Sequence, residues 1–412
     1  MKQITIQIEK GRVRMGKIKP FEKPVGFRDL LTEMTAKKRA VEGHLQQLFQ
    51  SWGYEEILTP TLEFDETIGK ASAISSGKMF KLQDRLGHTL VLKPDMTAPI
   101  ARVVSSILKD HPVPVRLSYH TNVFRAQENE AGRASELYQS GVELIGEGTP
   151  DGDAEVIALA IESLKQLQLN DFQLVVGHTS FLYGILADWV EEKDQQEELI
   201  SDLSCKNMVG FKQKIEKWVT DREGQQSLLT FAHLQGDIRV LDQAKAIAKS
   251  ERAKQAIEDL YQVWKLIKIY GLESYITFDL TLVPHMEYYT GMVFVGTVKG
   301  IGFPVCGGGR YDSLLDAFGN PQAAIGFAIH LDRILEGSKI EAPRKRKVKV
   351  IYDQEHREEA LHYVLTRRNE QNISIETQRY TGKNVDYEID MVNEQGKEII
   401  WFIERGESQN EG

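Results

Sequence analysis

Strand-like segments stand on both sides of a long helical stretch, and this order is the strongest constraint on the fold. Residues 180–271 are dense in Glu, Lys, Gln, Leu and Ala, with apolar residues at helical spacing. Segments rich in alternating or β-branched residues precede and follow this stretch: 88–93, 115–125, 137–145, 172–178, 275–283 and 293–298. We therefore predict an α+β domain in which helices flank an antiparallel sheet, with a helical insertion at about 180–271.

Other signals set the boundaries of the main domain. Apolar residues at helical spacing predict a helix that Gly53 ends, and Pro60 breaks the strand that follows. Further predictions are two helices at 96–108 and 153–168, a glycine-rich turn at 306–309 leading into a helix, and a strand running into a helix at 323–336. Together these elements predict a domain over 21–336, with residues 1–20 as an N-terminal appendage.

Past Pro343 the pattern starts again on a smaller scale. A strand at 347–353 and a helix at 355–371 precede three further strand-like segments, 373–380, 386–392 and 398–404. Residues 343–412 are therefore predicted to form a small C-terminal α/β module.

Composition narrows the functional classes. The formal net charge of −9 gives no overall attraction to nucleic acid, and the basic run 344–349 is read as a solvated linker before a strand, with nucleic-acid contact as the alternative. Only Cys205 and Cys306 are present, without metal-ligand spacing, so neither a disulfide framework nor a metal site is expected. No apolar run has membrane-spanning length, and a cytoplasmic protein is predicted.

The segment 124–139, FRAQENEAGRASELYQ, carries the first candidate site residues. One strand delivers Arg125, a polar loop holds Arg133, and the returning strand delivers Tyr138 and Gln139. Two guanidinium groups over a sheet suit a phosphate or a carboxylate, because each can bind either group bidentately. A surface hairpin with solvated arginines is the alternative reading of this segment.

Five motifs in order resemble histidyl-tRNA synthetase, a class II aminoacyl-tRNA synthetase, over about 24–336. The helix with Gly53 and Pro60 resembles motif 1, which dimerises that fold; FR…GR…Q resembles motif 2; and GFAIHLDRIL, with Arg333, resembles motif 3. EYYTGMVF at 287–294 and GGGRYDSLL at 307–315 resemble segments typical of the histidine branch. The resemblance implies the class II synthetase-like sheet.

The resemblance also implies a histidine pocket, with no metal and no cofactor. Asp95 and Thr97 would hold the α-amino group, and Arg125 would meet the carboxylate. Amine and imidazole would be surrounded by the remaining pocket residues: Gln139, Glu143, Tyr288 and Tyr289. Acidic and amide acceptors suit an ammonium, and tyrosines offer a ring an apolar body with a polar tip.

The same motifs depart from the synthetase pattern at the positions that activate histidine. Pro284 stands where LVRGLDYY has an arginine, and losing such a preorganised donor costs about 10²–10³ in rate. The adjacent His285 is a poor substitute for that arginine, because an imidazole lacks the guanidinium fork and is mostly neutral at pH 7. Gln127 replaces the glutamate that contacts adenine, and Ser135 replaces the second motif 2 arginine. Arg333 is retained, with a surface ion pair as its alternative role.

The C-terminal module is shorter than the anticodon-binding domain of the synthetases and is acidic towards its end, which suits RNA poorly. The chain therefore combines a retained pocket with altered activation residues. In this combination it resembles the regulatory subunit of ATP phosphoribosyltransferase, a synthetase-like paralogue without catalysis of its own. That family implies a short-form catalytic subunit as partner, L-histidine as effector, and a homodimer within a larger hetero-oligomer. The alternatives are an active, divergent histidyl-tRNA synthetase and a synthetase-like protein acting on another substrate.

Overall fold

A computed structural model describes residues 20–69, 71–126, 134–283, 286, 288–335, 337–343, 345–370, 372–380 and 398–402. The chain separates into two compact units, Met1–Ile340 and Glu341–Gly412. The predicted appendage lies outside the described residues except for Pro20, as does the predicted strand at 386–392. The domain boundaries given above stay a prediction.

The first unit contains two sheets. Its strands are β1 (Glu55–Glu56), β2 (Leu62–Phe64), β3 (Lys81–Gln83), β4 (Thr89–Leu92), β5 (Val115–Phe124), β6 (Glu136–Ile145), β7 (Phe172–His178), β8 (Gln235–Gly236), β9 (Ile276–Asp279), β10 (Met292–Val298), β11 (Cys306–Arg310) and β12 (Ala324–His330). Nine of them form one sheet in the order β1-β5-β6-β12-β11-β10-β7-β9-β8, and β2-β4-β3 form a small second sheet. The large sheet is antiparallel except where β1 meets β5 and β7 meets β9. The predicted antiparallel sheet is thus confirmed, and the two parallel pairs lie towards the edges.

Helices lie against this sheet and fill the predicted insertion. They are α1 (Thr32–Ser51), α2 (Thr97–Ser106), α3 (Pro150–Gln166), α4 (Thr179–Ala187), α5 (Lys193–Ser204), α6 (Met208–Trp218), α7 (Arg222–Phe231), α8 (Arg239–Ile247), α9 (Glu251–Ile269), α10 (Asp312–Asp316) and α11 (Leu331–Ile334). Helix α1 ends just before Gly53, whose φ of +83° glycine adopts without strain. The insertion is helical as predicted, except that β8 pairs with β9.

The two faces of the large sheet differ in side-chain size. Apolar side chains from the central strands lie buried in one core cluster with residues of α1 and α3, among them Val142, Phe294 and Phe327. Because side chains alternate along a strand, the next residues in each strand point to the opposite face. Small residues prevail there: Gly141, Gly307, Gly309, Gly326 and Ala328. On that face larger neighbouring side chains can therefore come close to the backbone of the sheet.

The glycine-rich segment at 306–309 is a strand, and the prediction of a turn there is wrong. Strand β11 pairs with β10 on one side and β12 on the other. A Cβ on Gly308 would lie 2.4 Å from the carbonyl oxygen of Gly326, and one on Gly309 would lie 2.7 Å from that of Met292. These glycines serve close packing across the ladder rather than chain reversal.

The second unit is a small parallel sheet with one helix. Its elements are β13 (Arg346–Tyr352), α12 (Arg357–Arg367), β14 (Ile373–Arg379) and β15 (Glu398–Phe402). Strand β13 lies between β14 and β15, and its Val348 and Val350 pack against Ala360 and Val364 of α12. The prediction of a linker at 344–349 is wrong for its described part beyond Lys345, because β13 begins at Arg346, which forms an ion pair with Glu398.

Candidate functional site

Glu143 lies at the centre of the open face of the sheet. In the β ladder it stands between Leu117 of β5 and Gly326 of β12. A Cβ on Gly326 would lie only 1.8 Å from Glu143 Oε2, so the missing side chain is what gives the carboxyl its place. Gly141, two residues earlier on the same face, leaves similar room for the ring of Tyr119. By omitting side chains, the sequence thus lets the carboxyl and the tyrosine ring lie close against the sheet.

Two hydroxyl groups hold the Glu143 carboxyl. Thr97 Oγ1 donates to Oε1 at 2.9 Å, and the Tyr311 hydroxyl donates to Oε2 at 2.5 Å. Burial raises the pKa of the Glu143 carboxyl to about 8, since loss of water disfavours the charged form; the two hydroxyl donors oppose that rise and the charge of Asp95 adds to it. This carboxyl therefore changes its protonation near neutral pH.

Asp95 and Thr97 come from the junction between β4 and α2. Asp95 Oδ1 accepts the backbone N–H of Ala98 at 3.0 Å, which satisfies one free donor of the first helical turn. Its Oδ2 accepts the hydroxyl of Ser72. Asp95 is 3% exposed. A second acidic group therefore stands beside Glu143, where a ligand ammonium could be held.

Tyrosine rings surround this cluster of side chains. The rings of Tyr288 and Tyr289 meet edge to face with centroids 5.1 Å apart, and Tyr311 packs against Tyr288 at 5.8 Å. Tyr289 lies over Gly309, where an added Cβ would come within 2.8 Å of its ring. Burial raises the pKa of all three phenols, so they are neutral hydrogen-bonding groups at ordinary pH.

Arg125 and Gln139 stand at the edge of the site. Arg125 Nε donates to the carbonyl oxygen of Pro94 at 2.9 Å, which directs its guanidinium towards the residues around Asp95. Gln139 lies four residues before Glu143 on the same face, about 13 Å along the strand. Its Nε2 is 3.3 Å from His330 Nδ1, and burial lowers the pKa of that imidazole, so it is neutral.

The structure thus gathers Asp95, Thr97, Glu143, Tyr288 and Tyr289 into one cluster, with Arg125 and Gln139 beside it. Tyr119 and Tyr311 also line this cluster and were missed from the sequence. Tyr311 lies in the motif GGGRYDSLL, but the turn predicted there gave no reason to expect its side chain to point towards β6. The assignment of these clustered residues to a histidine pocket stays a proposal.

Below the tyrosines lies a buried ion pair. Arg310 Nη2 is 2.7 Å from Asp153 Oδ1, and both side chains are 8% exposed. The Arg310 carbonyl oxygen accepts the backbone N–H of Thr290 at 2.8 Å. Through this contact strand β11 fixes the chain immediately after Tyr289.

The positions that depart from the synthetase pattern are only partly described. Pro284, His285, Gln127 and Arg133 lie outside the described residues.

Ser135, by contrast, is buried, and its side chain lies against Gly26, where an added Cβ would be 2.3 Å from the hydroxyl. Arg333 Nη1 donates to the carbonyl oxygen of Pro304, and its guanidinium lies 5.8 Å from the Phe303 ring. These contacts give Ser135 and Arg333 packing roles within the fold.

Two general searches cover the described part of the chain. Within it, no three His, Cys, Asp or Glu side chains come together in an arrangement that could hold a metal ion. None of the helices it contains is long and apolar enough to cross a membrane.

Comparison with known proteins places this geometry in a family. A family model described as histidyl-tRNA synthetase matches residues 26–334. The ATP phosphoribosyltransferase regulatory subunit of Shouchella clausii is 41% identical over 388 residues, covering 94% of this chain and 98% of that protein. The counterpart from Bacillus subtilis is 38% identical over 95% of this chain and 99% of its own length.

Comparison with solved structures leads to the same family and fold. A Bacillus halodurans structure described as an ATP phosphoribosyltransferase regulatory subunit/histidyl-tRNA synthetase superposes with a TM-score of 0.87 at 37% identity, covering 95% of this chain and 100% of that one. A histidyl-tRNA synthetase from Nostoc, 22% identical, shares the fold with a TM-score of 0.76 over 92% of this chain and 90% of its own. The chain belongs to the family of ATP phosphoribosyltransferase regulatory subunits, which has the fold of histidyl-tRNA synthetase.

Proposed function

We propose that this chain is the non-catalytic regulatory subunit of an ATP phosphoribosyltransferase and that it senses histidine for feedback control of histidine biosynthesis. The observation that carries the proposal is the buried carboxyl of Glu143, held by Thr97 and Tyr311 beside Asp95, in a member of this family. Such a cluster suits a small cationic or N–H-rich ligand, because each carboxylate oxygen has a further lone pair that can accept from a ligand donor.

The chemistry of this cluster suits histidine. Asp95 can accept from the α-ammonium group, while Glu143 can accept an N–H from the amine or the imidazole. The tyrosine rings offer flat apolar surface with polar edges to the side chain. Arg125 stands at the edge, where it could meet the α-carboxylate.

The partner is a short-form catalytic subunit, which condenses ATP with phosphoribosyl pyrophosphate in the first step of the pathway. This chain would itself carry out neither that reaction nor aminoacylation. We further propose that it forms a homodimer through α1 and the following strands, within a larger hetero-oligomer. Histidine can regulate the complex only if it binds one conformational state more tightly than another.

Calorimetry tests the pocket. Histidine should bind the purified chain, and Glu143→Ala or Tyr289→Ala should each weaken that binding at least about tenfold, which corresponds to about 1.4 kcal/mol. The control is Glu136→Ala on the same strand, because Glu136 faces the other side of the sheet and bonds Asn122. Unchanged histidine affinity in both pocket variants would remove the basis of the assignment.

An active synthetase is the competing function, since the matching family model is that of histidyl-tRNA synthetase. Its signature is histidine-dependent exchange between ATP and pyrophosphate. We expect none, because Ser135 is buried against Gly26 where the synthetases have a second motif 2 arginine. Robust exchange would overturn the proposal that the chain is non-catalytic, even if histidine binds.

A further inference from the structure

Tyr311 is tied directly to the carboxyl at the centre of the pocket. Its hydroxyl is 2.5 Å from Glu143 Oε2, and both residues are 2% exposed. The Tyr311 ring packs edge to face against Tyr288. The residue stands between β11 and α10, so its position is set by elements other than the strand that carries Glu143.

The charged state of Glu143 is the quantity that Tyr311 controls. The titratable groups around this carboxyl from the neighbouring elements are Asp95, Tyr119, Tyr288, Tyr289 and Tyr311, whereas Tyr54 lies in the core cluster on the other face of the sheet. Asp95 supplies a like charge and the tyrosines are neutral, so burial keeps the pKa of Glu143 near 8. Only the two hydroxyl donors, from Thr97 and Tyr311, lower it. With no ligand bound, Glu143 therefore holds its proton into the neutral pH range.

We propose that Tyr311 is a positioning residue of the effector site, which holds Glu143 so that histidine binds to the ionised carboxylate and the proton carried by Glu143 leaves to solvent. This inference rests on the proposed function and adds a mechanism to it. The ligand contributes an N–H donor in the place of the lost proton, and a third donor then joins those of Thr97 and Tyr311.

The sign of the pH effect follows from linkage. Below the pKa of about 8, binding must remove a proton from Glu143, so histidine affinity rises with pH and levels off above that value. Removing the Tyr311 hydroxyl takes away a group that lowers the pKa of Glu143. The pH above which histidine affinity no longer rises therefore moves to a higher value. A residue with a packing role alone would change the affinity without moving this profile.

The experiment is histidine titration calorimetry in two buffers of different ionisation enthalpy, which counts the protons released. The proteins are the full-length wild type, Tyr311→Phe and Tyr54→Phe. Phenylalanine keeps the ring that packs on Tyr288. Tyr54→Phe is the matched control, because it removes a hydroxyl that donates at 2.8 Å to Glu155 Oε1 in another Tyr–Glu pair. Titration of free histidine itself is common to all three proteins and cancels in the comparison.

We expect the wild type and Tyr54→Phe to release about one proton at about pH 7 and much less at about pH 8.5, whereas Tyr311→Phe releases about one at both. Its affinity at about pH 7 should fall roughly tenfold, the cost of a lost hydrogen bond to a charged group. A wild type that binds histidine without releasing a proton, or a Tyr311→Phe profile equal to that of the wild type, overturns this inference alone. A wild type that does not bind histidine overturns the proposed function itself.

Discussion

At the scale of single residues, the site depends on side chains that the sequence leaves out. Glu143 and the ring of Tyr289 occupy space that a methyl group on Gly326 or Gly309 would take. The acidic groups need this space, because a buried carboxyl without room to meet its donors would carry the full cost of desolvation. Gly309 and Gly326 are therefore as specific as the polar residues of this face.

Gly326→Ala tests this point. The added Cβ would lie 1.8 Å from Glu143 Oε2 and 2.5 Å from the carbonyl oxygen of Val142, so the carboxyl must leave its hydroxyl donors. We expect a loss of about 1–3 kcal/mol in the free energy of unfolding, measured by urea unfolding, and weaker histidine binding.

The matched control is Gly307→Ala on the neighbouring strand. An added Cβ there meets no atom within 4 Å, so the free energy of unfolding should change by less than about 0.5 kcal/mol. Equal unfolding curves for the two variants would show that the contact at Gly326 does not constrain Glu143.

The motifs in the sequence predicted most of the residues that the structure brings together, including Asp95, Thr97 and Glu143. They did not point to Tyr311, because its neighbours were predicted to form a turn. Which way a side chain points in this segment depends on the register of β11 against β12, and register is set by long-range packing. The contact between Tyr311 and Glu143 therefore could not be predicted from the sequence alone.

At the scale of elements, β11 is the strand that joins the pocket to the helices behind the sheet. One of its faces lies under the tyrosines, while Arg310 at its end reaches α3 on the other. Glycine has a low strand propensity, which explains why sequence patterns alone predicted a turn. Pairing with β10 and β12 overrides that propensity, since three adjacent glycines let the strands approach closely.

Asp153→Ala tests the connection from β11 to α3. It leaves the buried guanidinium of Arg310 with Asp312, at 3.3 Å, as its remaining carboxylate contact. We expect a loss of about 3 kcal/mol in the free energy of unfolding, because breaking a buried pair leaves a charge poorly compensated.

Glu216→Ala serves as the comparison. Its pair with Lys212 is 3.8 Å long and more than half exposed, so its removal should cost less than about 1 kcal/mol. A similar small loss in both variants would mean that Arg310 does not depend on Asp153.

At the scale of the whole molecule, the chain pairs a synthetase-like unit with a small parallel α/β unit. The order of strands and helices in the sequence predicted both, because long periodic segments are the part of a fold that local pattern records best. The sequence pattern could not predict the pKa of Glu143, because that pKa depends on burial in the folded chain. We expect this pKa to couple histidine binding to the release of a proton.

The measurement that tests the account most directly is the initial rate of ATP phosphoribosyltransferase, with the short-form catalytic subunit alone, with this chain, and with its Glu143→Ala variant. We predict that the chain raises the rate and that histidine inhibits the wild-type complex. The variant complex should keep the raised rate and need at least about tenfold more histidine for inhibition. No rise in rate on adding the chain, or equal inhibition of both complexes, would contradict the account.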